Sequence, residues 1–363
     1  MRARGESGAR AASRRAVHRP GLRAVSRSSM AALLAVATAA ALLSGCSKNS
    51  GYTGSTPAAA PGHAATAPAT TATPAGTVVP SGPIAAALAE PATGALLLLD
   101  SDGVTVRILD PADLAAPART VTLPARTTAL TPGPEGQVLA AAGSQVLHID
   151  PAAASVHATP VDGQVRSVAQ RADGTVAAGL ADGRVLILGA DGHVTQTFTG
   201  LGGNDAIVAP GSAIVTLDRD RTTLTQVDIK RARPGLQLRA GIGAVNMITD
   251  HFGRMLVTDT AGGALLVYTP DPLEMHQWFP VGSSPYAEAY DQATETLWVS
   301  LTGTNEVVGY DLSTGIPEEV RRFATVRQPN SVTVDSRTGD LFVGSATGAG
   351  LQRIGADERK RGQ

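Results

Sequence analysis

From about residue 84 onward, apolar runs of four to eight residues alternate with polar turns rich in glycine and aspartate. The stretch 165–199 is representative: VRSVAQ, RADG, TVAAGL, ADG, RVLILG, ADG and HVTQTFT follow one another. Asp-Gly pairs between runs that alternate apolar and polar positions predict antiparallel hairpins, and the runs are too short for the helices of a globular core. Each unit reads as strand, turn, strand, turn, strand, longer link, strand.

These units recur. Superposing their first turns places glycines at 94, 136, 174, 211, 253 and 339, with Glu295 in the same place, at successive gaps of 42, 38, 37, 42, 42 and 44. A period near 40 with glycine turns predicts an all-β fold, a β-propeller, whereas helical repeats would show a 3.6-residue periodicity. Seven units begin near residues 84, 126, 166, 205, 246, 286 and 330. Six or eight blades remain compatible, because the fourth unit, DAIVAPGSAIVTLDRDRTTLTQVD, matches worst. The seventh has only three strands before the charged tail 356–363, and its missing outer strand is expected from GTVVPSG, residues 76–82. Joining the two ends of the chain in one blade removes sheet edges that would invite aggregation. Third strands often finish on aspartate (Asp110, Asp150, Asp228, Asp311), where turn chemistry is the expected role. Trp278 and Trp298, both in strand-like runs, are expected to pack between blades.

The propeller is predicted over 77–355, and what precedes it has a different character. Residues 1–45 hold eight arginines, one acid (Glu6), and an apolar run of 13 residues from Ala31 to Leu43. A membrane-spanning helix needs about 20 apolar residues, so this run fits the core of a signal peptide. Its basic front is long; either the signal is extended or translation starts nearer Met30. SRRAVHR (13–19) faintly resembles a twin-arginine export signal, but it lies some 14 residues from the apolar core, and a chance arginine pair is the plainer reading; Sec and Tat export both stay open. Residues 46–76 are almost wholly Ala, Pro, Thr, Gly and Ser; such a segment cannot bury a core and reads as a disordered tether.

Leu43, Ser44, Gly45 and Cys46 resemble the lipobox of bacterial lipoproteins. That resemblance implies removal of residues 1–45, acylation of Cys46, and anchoring to the extracytoplasmic face of the cell membrane. More than one acyl chain is needed for a stable hold. Cys46 is the only cysteine, which excludes an internal disulfide framework and multi-thiolate zinc sites. The stretches QPNSVTVDSRTGDLFVGSATG and SPYAEAYDQATETLWVSLTGTNEVVGYDLSTG resemble YVTN and NHL propeller repeats. Together with the lipobox, the whole chain is similar to secreted propeller lipoproteins of actinobacteria. The resemblance implies the fold more firmly than an activity.

Charge narrows the partners. The chain carries 30 Lys plus Arg and 31 Asp plus Glu, so removing the eight arginines and one acid of residues 1–45 leaves 22 bases against 30 acids. An acidic body lacks the basic footprint that nucleic acid requires.

No catalytic constellation emerges from the residues, and no cofactor or metal is expected. His148, His157, His193, His251 and His276 lack ligand spacing. No nucleophile elbow, complete calcium loop or phosphate-cradling loop is present. Propeller lactonases hold a metal with Glu, Asn and Asp from separate blades; Asp205, Asn246 and Asn330 could supply part of this, but Glu288 falls two residues late. The residues opening the first strands are more suggestive, since innermost strands line a propeller's channel. Arg126, Arg166, Asp205, Asn246, Tyr286 and Asn330 are candidates for a channel-mouth site that takes a small anionic or carbohydrate-like ligand, or a protein loop. Polar residues at any solvent-exposed rim are the plainer reading. Three functions are therefore open: a lipid-anchored binding or scaffold module at the envelope, a lactonase-type hydrolase, or an accessory or sensor subunit of a membrane complex.

Overall fold

The computed structural model describes residues 61–360; the predicted signal peptide, lipobox residues 43–45 and Cys46 lie outside the described residues. Seven four-stranded antiparallel sheets form a ring, a seven-bladed β-propeller. The innermost strands are Ile84–Glu90, Thr131–Pro132, Val165–Gln170, Ala206–Val208, Ala244–Thr249, Pro285–Asp291 and Pro329–Asp335. The fourth unit, despite its weak pattern, builds a complete blade from Ala206–Val208, Val215–Asp218, Thr223–Asp228 and Arg233–Arg239.

The ring closes as the sequence predicts. Thr77–Val79 pairs antiparallel with Leu351–Ile354 and becomes the outer strand of blade 7, with Val78 opposite Gln352. The recurrent turn is also as expected: glycines 94, 136, 174, 211, 253 and 339 all have positive φ, and Glu295 takes the same left-handed conformation at φ 52°. The strand-end aspartates act as turn acceptors. Asp110 Oδ1 takes the Ala112 N–H at 2.9 Å and Asp311 Oδ1 takes the Ser313 N–H at 2.7 Å.

Blades adhere through apolar layers, one at each of the seven interfaces. Leu97, Leu99 and Ile108 of blade 1 meet Val138, Leu147 and Ile149 of blade 2, and Ile84 and Leu98 meet Phe342 and Leu351 across the closure. This explains the apolar runs in the middle strands, such as Ala95–Asp100, whose side chains are buried toward both neighbouring blades. Trp298 is buried in the layer between blades 6 and 7. Trp278 does not pack between blades: it is 54 % exposed on the outermost strand Leu273–Pro280, whose outer side faces solvent.

Two segments beyond the repeats pack against the propeller, the first of them where composition reads a loose tether. Residues 61–76, within the expected tether, lie against blades 5–7 and are held by hydrogen bonds. Their own side chains cannot build a core, but their backbone groups find partners on the propeller. In the charged tail, Ala356–Lys360 forms one helical turn. Arg359 there pairs with Asp291 of blade 6 at 3.1 Å, with both side chains buried, and lies over the Trp298 ring.

Candidate functional site

Inner strands or their leading residues from all seven blades surround a cavity of about 520 Å³ at the channel. Five of the six candidates line it: Arg166, Asp205, Asn246, Tyr286 and Asn330. Arg126 does not. The inner strand of blade 2 is only Thr131–Pro132, so Arg126 falls in the preceding link, exposed beside the Gly103 turn, while Thr127 and Thr128 reach the cavity instead.

The mouth is cross-linked from blade to blade. Arg166 Nη1 of blade 3 pairs with Asp205 Oδ1 of blade 4 at 2.5 Å. Asp205 Oδ2 also accepts the backbone N–H of Arg219 at 2.9 Å. The Arg219 guanidinium donates onward to Val245 O at 2.7 Å and to Asn246 Oδ1 of blade 5 at 3.4 Å. Asn246 Nδ2 then donates to Tyr286 O of blade 6 at 2.7 Å. Asn330 Oδ1 of blade 7 accepts from Gln328 Nε2 at 2.9 Å. Arg219 escapes a sequence reading because its context, DRDR, resembles any solvated turn.

Charge at this rim is unbalanced. Two guanidiniums, Arg166 and Arg219, share the cavity lining with one carboxylate close to them, Asp205. An anion entering the mouth therefore meets a net positive field in partly excluded water, where charge-assisted hydrogen bonds are strongest. As a lactonase-type ligand set, Asp205, Asn246 and Asn330 lack a free carboxylate, because one Asp205 oxygen pairs with the Arg166 guanidinium and the other accepts the Arg219 backbone N–H.

Further along the inner strand of blade 6, two residues or about 7 Å past Tyr286, stands Glu288. It is in the cavity wall and buried, and neither carboxyl oxygen has a hydrogen-bond partner. Burial alone pushes its carboxyl well above the ordinary glutamate value of 4.5, and no neighbouring charge opposes the shift. The surrounding wall is built of small apolar side chains, among them Ala87, Ala169, Ile248 and Val332. The site thus has a charged rim and an apolar interior containing one buried acid. Nothing in the alternating pattern YAEAY distinguishes this glutamate from one facing solvent.

No protein-family model matches the chain, and no curated protein matches it in sequence. Its fold is similar to several solved structures. Hydrazine synthase of Kuenenia stuttgartiensis aligns at TM-score 0.63 and 13% identity, over 79% of this chain and 98% of that one. A streptogramin B lyase aligns at TM-score 0.61 and 12% identity, over 77% and 96%. A chain of a mitotic checkpoint complex aligns at TM-score 0.62 and 8% identity, over 78% and 90%. Proteins of such different roles, at such low identity, share with this chain the propeller alone.

Proposed function

We propose that this protein is a lipid-anchored, extracytoplasmic propeller that serves as a binding module at the cell envelope and takes a small anionic, carbohydrate-like ligand at its channel mouth. The observation that supports the ligand class is the Arg166–Asp205–Arg219 rim on a cavity of about 520 Å³, with two guanidiniums for one carboxylate. That volume suits a small molecule better than a protein loop. The lipobox residues 43–46 support the anchor.

Both halves can be tested separately. Gluconate and glucuronate should raise the melting temperature of the wild-type protein and should not raise that of Arg166→Ala above its own ligand-free value. No shift in wild type, or equal shifts in both proteins, refutes the mouth as the site. Cys46→Ala should abolish palmitate incorporation and move the protein out of the membrane fraction; unchanged labelling and fractionation refute the anchor.

A further inference from the structure

The face of the ring on which the channel mouth opens also carries a set of side chains that grip a peptide backbone. Residues 62–68, GHAATAP, cross this face over blades 5, 6 and 7. The Ala65 N–H donates to Ser284 Oγ at 3.0 Å and to Thr302 Oγ1 at 3.1 Å. Gln328 closes on the strap with both ends of its amide: Nε2 donates to Ala65 O and Oε1 accepts the Ala67 N–H, each at 2.9 Å. Arg327 donates to Ala67 O at 3.2 and 3.3 Å, and Asn305 Nδ2 donates to Pro68 O at 3.0 Å. Every one of these contacts runs from a propeller side chain to strap backbone, so the grip reads the main chain and not the strap's side chains.

Three further observations show that the grip is built rather than incidental. Ser284 and Gln328 adopt positive φ, at 58° and 56°, which is uncommon for residues with a Cβ. Such conformations persist where the surrounding structure enforces them, and they concentrate at ligand clamps. Thr302, Asn305 and Gln328 are buried, and Asn305 Oδ1 braces Gln328 by accepting its backbone N–H at 2.9 Å. The strap is also fitted in shape. A Cβ on Gly62 would stand 2.1 Å from Gly243 O, and Ala67 is buried, whereas His63 and Thr66 point outward.

We propose that the mouth face carries a binding site for a peptide with small residues at the positions of Gly62 and Ala67, and that in this protein it is occupied by the chain's own leash. The site is sequence-tolerant at outward positions, as recognition through backbone atoms allows. It is coupled to the channel, because the Gln328 Nε2 that holds Ala65 O also holds Asn330 Oδ1 in the channel lining. The inference stands apart from the ligand reading: the strap can be gripped whatever the channel binds.

Amide hydrogen exchange on the full chain tests it. In wild type, the Ala65 and Ala67 amides should exchange at least tenfold more slowly than in the free peptide 61–70. Gln328→Gly removes the clamping amide while suiting the positive φ, and should abolish protection at Ala67 with blade amides unchanged. A second variant leaves the propeller untouched: Ala65→Pro with Ala67→Pro deletes both strap donors and should empty the site. A labelled peptide 61–70 should then bind this variant at millimolar concentration, the range an attached strap experiences, and should not bind wild type. Unprotected Ala65 and Ala67 amides in wild type, protection that survives Gln328→Gly, or failure of the peptide to bind the emptied variant each overturns the proposal.

Discussion

Glu288 makes the stability of the propeller depend on pH in a direction opposite to that of most carboxylates. In the unfolded chain it titrates near 4.5; in the folded chain burial moves it well above that, with no partner to repay ionisation. Between those two values the folded state holds one proton that the unfolded state has released. The slope of unfolding free energy with pH is then negative, about 1.4 kcal/mol lost per pH unit for one proton. The contribution is complete below the unfolded value and disappears as pH rises through the folded one. Glu288→Gln keeps the shape and polarity of the group and removes the titration, so it deletes this slope. Urea melts of both proteins at pH 5, 6, 7 and 8 isolate the effect, since every other acid titrates in both. The glutamine variant should gain on wild type as pH rises above the unfolded value, by at most about 1.4 kcal/mol per pH unit, the gain levelling off once the folded carboxyl ionises. Parallel stability curves across that range would refute a Glu288 carboxyl raised by burial, and with it the division of the cavity into charged rim and apolar interior.

Two simpler perturbations test other parts of the structure. Arg359→Ala strands Asp291, 1 % exposed in its side chain, without its cation and removes the guanidinium from Trp298; a loss of about 3 kcal/mol is expected in urea melts, and a loss below 1 kcal/mol would show that the C-terminal turn is not docked. Glu295→Gly replaces a left-handed glutamate with the residue found at this turn in the other six blades, and should stabilise the protein by about 1 kcal/mol; a destabilised variant would mean that the Glu295 side chain contributes more than its backbone costs.

The architecture was readable because a propeller repeats local chemistry. A left-handed turn, an Asp-capped strand end and an apolar middle strand each leave a mark within ten residues, and seven repetitions of a weak mark suffice. Even the departure at Glu295 was visible as a gap in a glycine series. The closure by Thr77–Val79 followed from counting strands, since one blade was short and one run was spare. The site was readable only in part. Where inner strands begin on schedule, as at Arg166 and Asn246, position in the repeat predicted position at the mouth. Blade 2 begins late, and Arg126 was lost with it. Arg219 and Glu288 belong to the site through packing between blades, and their local sequences resemble ordinary turns and strands.

Composition misled most at residues 61–76. An Ala/Pro/Thr segment without apolar bulk cannot fold by itself, but the partners of Ala65 and Ala67 lie 219 to 263 residues away, where no local pattern records them. The strap also bears on the channel. Gln328 Nε2 holds Ala65 O and Asn330 Oδ1 at once, so a change that draws residues 62–68 away from the mouth face loosens a partner of the channel lining in the same step. Strap and channel mouth therefore share one amide, although neither segment's local sequence records the other.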